Sequence, residues 1–142
     1  MPVIKMDDIS RSTLRRHPDW LFLFGDNDKR AGFGGHAHAM RGEPNAIGIR
    51  TKLSPSMKDQ AFFTDASYDE AVAMIDADLR PAFEAARAGQ IIIVPKSGLD
   101  GPGGELDRRA PRVAAHLAKR LLELEAIGAQ EAGAAAVAAL AS

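Results

Sequence analysis

The chain has 142 residues, of which 46% are hydrophobic and 26% are charged, a composition typical of one compact folded domain. This argues against a disordered chain, a collagen-like chain and a large multidomain protein. Eighteen Lys and Arg residues against nineteen Asp and Glu residues leave a net charge of −1, so any anion site must be local and nucleic acid is a disfavoured partner.

Two absences narrow the class of protein further. No cysteine is present, which excludes disulfides, thiolate metal sites and a cysteine nucleophile. No segment approaches the roughly 18 consecutive apolar residues of a membrane-spanning helix, and the first five residues lack the apolar core of a secretory signal. We therefore expect a cytoplasmic protein without a membrane partner.

The first half of the chain alternates strands with helices. An apolar run bounded by Pro18 and Gly25 is too short for a helix and predicts a central strand buried on both faces. A loop rich in glycine and short polar residues follows it. The predicted elements are an edge strand at residues 3–4, a helix capped by residues 7–10 and ending near 16, a strand at 20–24, a loop at 25–35, a helix at 36–41, a strand at 46–51 and a connecting loop at 53–65.

The second half continues the alternation. The segment Ser67-Tyr68-Asp69-Glu70 fits a capping box, Pro81 is expected to kink the helix that follows, and Gly89 closes it. Residues 90–95 are β-branched and uncharged and predict the clearest strand. The apolar stripes of the two long helices are Val72, Ile75, Leu79, Phe83 and Ala86 in the first, and Val113, Leu117, Leu121 and Leu124 in the second.

This order of elements predicts a three-layer α/β domain with a mainly parallel sheet. We assign it residues 1–127 and treat residues 128–142 as an Ala-rich helical C-terminal tail. The tail has high helix propensity but few bulky side chains, so it either frays or docks on a partner, and an oligomer is one such arrangement.

Two glycine-rich loops carry the functional prediction. Residues 25–35 and 96–104 each follow a strand, and ligands of open α/β sheets bind at the carboxyl ends of the strands. Glycines let the backbone approach a ligand and expose N–H donors to phosphate. One such loop is more often only a turn, but two favour an anion site. Neither matches a P-loop or a dinucleotide fingerprint, so ATPase and NAD-dehydrogenase functions are excluded and no cofactor is expected.

Four segments in a fixed order resemble the macro domain, the α/β fold that binds ADP-ribose. They are Asp8-Ile9-Ser10, Phe24-Gly25-Asp26-Asn27, Gly34-Gly35-His36-Ala37, and Ile92-Ile93-Val94-Pro95 followed by Ser97-Gly98-Leu99-Asp100-Gly101. The set is also similar to a group of uncharacterised bacterial and phage proteins with a Phe-Gly-Asp-Asn loop. The resemblance runs from about Val3 to Leu124 and implies a macro-like α/β/α domain with a mainly parallel mixed sheet.

The resemblance also implies roles for individual residues. Asp8 would accept from the adenine amino group, Asn27 would bind the distal ribose, and the backbone of the two loops would hold the phosphates. Where the hydrolytic branch of the family carries an aspartate in its helix start, this chain has Ala37. The expected ligand-binding residues are Asp8, Asn27, Gly32, Phe33, Gly34, Gly35, Lys96, Ser97, Gly98, Leu99 and Gly101.

Structural alternatives exist for these residues. Asp8 is equally explained as a helix N-cap, and residues 26 and 27 as an Asx turn. Phe33 lies between glycines, where a core position is hard to explain, and could stack on adenine or on a ribose face. Lys52 and Lys96 each follow a strand and could bind a pyrophosphate, although loop lysines are usually solvated.

The candidate catalytic residues are Asn27, Asp26, His36 and Asp100. His36 and His38 lie two apart and point in different directions from a helix, so no metal is expected. His36 could be a general base or simply a hydrogen-bonded residue at a helix start. Asp100 could orient a water molecule or cap a turn, and the two explanations weigh equally.

The resulting hypothesis is a domain that binds ADP-ribose or a related nucleotide diphosphate between residues 25–35 and 96–104. As an enzyme it would hydrolyse an ADP-ribosyl ester or N-glycosidic bond. As a reader without chemistry it would recognise a nucleotide or an ADP-ribosylated macromolecule. A third hypothesis is an interaction protein that forms oligomers through its Ala-rich tail.

Overall fold

A computed structural model describes residues 3–100 and 105–141, with the backbone alone for residues 131, 132, 134–136 and 141. The predicted phosphate-loop residue Gly101 therefore lies outside the described residues. The elements are β1 (Val3–Met6), α1 (Arg11–Arg16), β2 (Leu21–Asn27), α2 (Ala37–Met40), β3 (Ala46–Lys52), α3 (Tyr68–Arg87), β4 (Ile92–Pro95), α4 (Leu106–Arg109) and α5 (Pro111–Ala141), with 3₁₀ turns at Asp59–Ala61 and Asp65–Ser67.

The four strands form one sheet in the order β1-β4-β2-β3, and each neighbouring pair is parallel. The prediction of an α/β domain with a mainly parallel sheet is confirmed. β2 lies inside the sheet and β1 at its edge, as the sequence predicts. The antiparallel pairing in the described residues is a single isolated bridge between Lys52, the last residue of β3, and Phe62.

The sheet is covered by helices on both faces. On one face α1 and α2 pack Leu14 and Met40 against Phe22 and Phe24 of β2. On the other face α3 and α5 pack against the alternate β2 residues, of which Leu23 is fully buried. Successive side chains of a strand point to opposite faces, so a strand buried on both sides is apolar throughout, as residues 21–24 are.

The strand β2 is longer than the sequence predicts. It continues past Phe24 to Asn27, where Asp26 pairs with Arg50 and Asn27 with Lys52 of β3. Both polar side chains are buried, and this is tolerated because hydrogen bonds to other residues satisfy their polar atoms. The glycine-rich loop therefore begins after Asn27 and not at residue 25.

The helix boundaries agree with the sequence better than the predicted caps do. Ser10 caps α1 through a capping box with Thr13, so the alternative of Asp8 as the N-cap is wrong. Ser67 makes no side-chain cap hydrogen bond, and the capping box predicted there is also wrong, because α3 is entered from a 3₁₀ turn. The last helix, α5, is continuous across the predicted boundary between domain and tail.

Within the described residues, no helix combines the length and the apolar character needed to cross a lipid bilayer.

Candidate functional site

A cleft of about 290 Å³ opens at the carboxyl edge of the sheet. The chain leaves β2 towards α2 on one face of the sheet and leaves the neighbouring β4 towards α5 on the other face. Such a divergence between adjacent parallel strands creates the crevice in which α/β proteins bind ligands. The predicted site residues that line this cleft are Asp26, Asn27, Gly32, Gly34, Gly35, His36, Leu99 and Asp100.

The two predicted loops meet across this cleft. A side chain at Gly25 would overlap the backbone carbonyl of Leu99, so only glycine permits the observed approach. The two loops also make a side-chain contact, because the imidazole Nε2 of His36 lies 3.3 Å from the hydroxyl of Ser97. The convergence on which the site hypothesis depends is therefore present in the described part of both loops.

Asp26 anchors the first loop. Its buried carboxylate accepts hydrogen bonds from Arg41 at 2.6 Å, from the Asn27 amide at 2.8 Å and from Arg30 at 3.1 Å. Burial alone would raise the pKa of Asp26, but these hydrogen bonds outweigh it and hold the pKa below its ordinary value. Both carboxylate oxygens are engaged, so the geometry favours an anchoring role over the predicted catalytic one.

Arg41 connects Asp26 to the glycine loop. Besides its two contacts with the carboxylate, its guanidinium donates to the carbonyl oxygen of Gly32 at 2.7 Å and to that of Ala31 at 3.2 Å. No sequence motif marks Arg41 as a site residue. The position of Asp26 at the end of an apolar strand could have predicted such a partner, because a buried carboxylate requires a cationic group nearby.

A second buried acid extends the network to α3. The carboxylate of Asp78 accepts from Arg30 at 2.7 Å and from the Arg50 side chain at 2.9 Å, and it also accepts from the Arg50 backbone N–H at 2.8 Å. Arg30 thus bridges Asp26 and Asp78. The ion pairs fix the base of the first loop to both the sheet and the helix layer.

Asn27 adopts the geometry of an Asx turn. Its side-chain oxygen accepts from the backbone N–H of Lys29 at 3.1 Å, and its amide nitrogen donates to the carbonyl of Ala31 at 2.8 Å. This is the structural alternative that the sequence left open. Asn27 nevertheless lines the cleft, and its predicted contact with a ribose stays a prediction.

Lys52 is the lysine that lines the cleft, and Lys96 is not among its lining residues. The Lys52 ammonium donates to the carbonyl of Ser56 at 3.0 Å and lies 4.4 Å from the ring centre of Phe62. Burial lowers the pKa of Lys52, and the nearby carboxylate of Asp100 partly offsets this effect. Lys96 instead lies exposed beside Asp7 at 3.8 Å.

Two further titratable groups face the cleft. Burial raises the pKa of Asp100, and a hydrogen bond from the Leu106 backbone N–H to its Oδ2, 2.8 Å long, partly opposes this shift. Burial also lowers the pKa of His36, so the ring is neutral near pH 7. In the described residues, no cluster of three or more His, Asp or Glu side chains could hold a metal ion.

The remaining predicted residues lie beside the cleft or away from it. Asp8 is exposed, adopts a left-handed backbone conformation with φ of 53° and does not line the cleft. Phe33 is 60% exposed between two glycines that do line it. Ser97 and Gly98 precede the cleft-lining Leu99, and Ser97 reaches it only through its contact with His36.

Comparison with protein families gives a match to most of the chain. The sequence profile of DUF7831, a family of unknown function, matches residues 4–120. The chain belongs to this family. The matched segment runs from β1 into α5 and includes every residue that lines the cleft, so the cleft is part of the DUF7831 domain. No curated protein matches the chain, and no solved structure does.

Proposed function

We propose that this chain binds a nucleotide diphosphate in the cleft, with ADP-ribose as the first candidate ligand. The observation that carries the proposal is the meeting of two glycine-rich loops at the crevice between β2 and β4. The resemblance to macro domains in the order of the sequence segments gives the same ligand class.

The size of the cleft limits how much of the ligand it encloses. Its volume of about 290 Å³ is at the lower end of the range for small-molecule sites. We therefore expect the diphosphate and one ribose to lie inside, with the nucleobase at the rim, where the exposed ring of Phe33 is available for stacking.

The distribution of charge in the cleft favours binding of an anionic group next to Lys52. The arginines near Asp26 are neutralised by carboxylates, whereas no ion pair of Lys52 occurs among the described residues. Lys52 is thus the group available to a phosphate, together with backbone N–H groups of residues 32–35. An ionised Asp100 would repel phosphate, so a sugar hydroxyl is its expected neighbour.

Replacement of Lys52 by methionine tests this arrangement. The variant keeps the length of the side chain but loses the charged hydrogen bond, which corresponds to about 10- to 100-fold weaker binding of ADP-ribose. Isothermal titration calorimetry with ADP-ribose, ADP, AMP and ribose 5-phosphate measures the effect. Lys96→Met is the matched control, because Lys96 lies outside the cleft, and its affinity should equal that of the wild type. Equal losses in both variants would contradict the proposed role of Lys52.

Hydrolysis of an ADP-ribosyl linkage is a second candidate function, favoured by Asp100. This carboxyl group lines the cleft, its Oδ2 is held by a backbone N–H, and its raised pKa suits a general base. Without turnover, the same site would act as a reader of an ADP-ribosylated macromolecule.

The variant Asp100→Asn separates these two functions. If Asp100 is the base, the variant will bind ADP-ribose but lose about 10²- to 10⁴-fold in turnover of an ADP-ribosylated protein. The wild-type rate will fall as the pH drops through the raised pKa of Asp100, because protonation removes the base. Full turnover by the variant would exclude Asp100 as the base. If the wild type binds ADP-ribose but shows no turnover, the site functions as a non-catalytic reader of an ADP-ribosylated macromolecule.

A further inference from the structure

The helix α5 extends well beyond the folded domain. It contains 31 residues. Gly128 is buried, and every later residue of the helix whose burial is described is exposed. Three of the six large apolar side chains that are exposed in the described residues lie on this helix. They are Leu122, Val137 and Leu140, with exposed fractions of 65%, 67% and 89%. A single exposed leucine is common on protein surfaces, but several exposed apolar side chains along one helix can form a surface that another molecule covers.

These side chains belong to one continuous apolar stripe. At 100° per residue, six exposed positions fall within a band about 80° wide and about 27 Å long. Between the first and the last of them the band carries no charged residue. The stripe consists of Leu122, Ala126, Ala129, Gly133, Val137 and Leu140.

The stripe has leucines at both ends and small residues at its centre. Leu122 and Leu140 are the end residues, Ala129 and Gly133 are central, and Val137 on one side of the centre corresponds to the smaller Ala126 on the other. An antiparallel copy of the same stripe would place Leu122 opposite Leu140 of the partner subunit and the small central residues opposite each other. Small residues let two helix backbones approach closely, and a two-fold axis through the centre makes the surface self-complementary.

A groove in the domain fits the end of such a partner helix. A space of about 320 Å³ lies between the edge strand β1 and α5. Its lining combines apolar atoms, among them those of Val3, Val94, Leu121 and Leu122, with the charged residues Lys5, Lys96 and Glu125. The stripe begins at Leu122, on the wall of this groove. An antiparallel partner helix would deliver its terminal leucine to that point, so one arrangement covers both the stripe and the groove.

We propose that a second copy of this chain covers the stripe and the groove, giving a two-fold symmetric dimer with antiparallel α5 helices. A single pair of helices of this length buries less surface than a standard interface, and the groove adds to it. We expect a weak dimer, of micromolar affinity, that dissociates on dilution.

Light scattering after size exclusion tests the dimer. At about 100 µM the wild type will show twice the 15.1 kDa mass of one chain, in keeping with micromolar association. Leu140→Glu will be monomeric, because it places a charge in the interface. Ala138→Glu adds the same charge to the opposite side of the helix, where the residue is also exposed, and will stay dimeric. A monomeric wild type, or a Leu140→Glu variant that dimerises as the wild type does, would overturn the proposal.

Cysteine cross-linking tests the orientation, and the natural chain contains no cysteine to interfere. When the variants Leu122→Cys and Leu140→Cys are mixed under oxidising conditions, a disulfide will join one of each, because the antiparallel arrangement brings these positions into range. Neither variant alone will cross-link. Cross-linking of Leu140→Cys with itself would show a parallel pair and contradict the antiparallel dimer.

Discussion

Replacement of Asp78 by alanine will lower the free energy of unfolding by about 1.5–3 kcal/mol, because it removes charged hydrogen bonds to Arg30 and Arg50. The loss stays in this range because these arginines are 42% and 21% exposed and keep their contacts with Asp26 and Asp28. Asp78 is 8% exposed and binds Arg30 and Arg50 through four hydrogen bonds. A loss of this size is a large share of the roughly 5–15 kcal/mol that stabilises a typical domain. Urea denaturation followed by circular dichroism measures it.

Asp76 provides a control on the same helix. Its carboxylate pairs with His116 and Arg120, but its side chain is 45% exposed, and ion pairs at such positions contribute about 0–1 kcal/mol. Asp76→Ala should therefore change the free energy of unfolding little. If the two alanine variants lost similar stability, the network beneath the cleft would not have the structural role assigned to it.

Replacement of Gly25 by alanine will reduce ADP-ribose binding at least tenfold if the proposed site is right. The added methyl group overlaps the carbonyl of Leu99, so the second loop must move away from the first and the cleft must change shape. Overpacking typically costs about 1–3 kcal/mol of stability, and overlap with a backbone atom puts this variant at or above the upper end. Circular dichroism therefore checks that the variant is folded before its binding is measured by calorimetry.

Two control variants distinguish the effect of moving the second loop from a general loss of stability or of a single side-chain contact. Gly34→Ala meets no atom within 4 Å and should leave the stability unchanged. Ser97→Ala removes the contact with His36 but keeps the close approach of the two backbones, and we expect nearly wild-type affinity. Wild-type affinity in Gly25→Ala would mean that the ligand does not require the two loops to meet.

Much of the fold could be predicted from local patterns. The apolar run at residues 21–24 and the β-branched run before Pro95 each correspond to a strand, since burial on both faces requires uninterrupted apolar side chains. The two glycine-rich loops could also be assigned to the carboxyl edge of the sheet, because each of them follows one of these strands. Their mutual contact depends on the strand order β1-β4-β2-β3, which no local pattern contains.

The part of the site that the sequence did not reveal consists of long-range ion pairs. Asp26 pairs with Arg41, 15 positions away, and Asp78 pairs with Arg30, 48 positions away. Charged residues are common on helices and in loops, and their sequence spacing does not show which of them share a buried partner. Asp78 in particular looks like an ordinary polar residue beside the apolar stripe of α3 until the sheet is placed against it.

The sequence also could not show which of two lysines lines the cleft. Lys52 and Lys96 both follow strands, so the sequence pattern does not distinguish them. The structure distinguishes them because Lys52 is drawn over Phe62 into the cleft, whereas Lys96 extends towards Asp7. The packing of residues 53–63, predicted only as a connecting loop, makes this difference.

Titration of isotopically labelled protein with ADP-ribose, followed by backbone amide NMR shifts, shows where on the protein the ligand binds. Binding in the cleft will cause saturable shifts concentrated at residues 25–36, 51–57 and 97–100, the segments that surround the cleft. Shifts concentrated instead on the outer faces of α3 and α5, or no shifts at millimolar ADP-ribose, would contradict a nucleotide diphosphate site in this cleft.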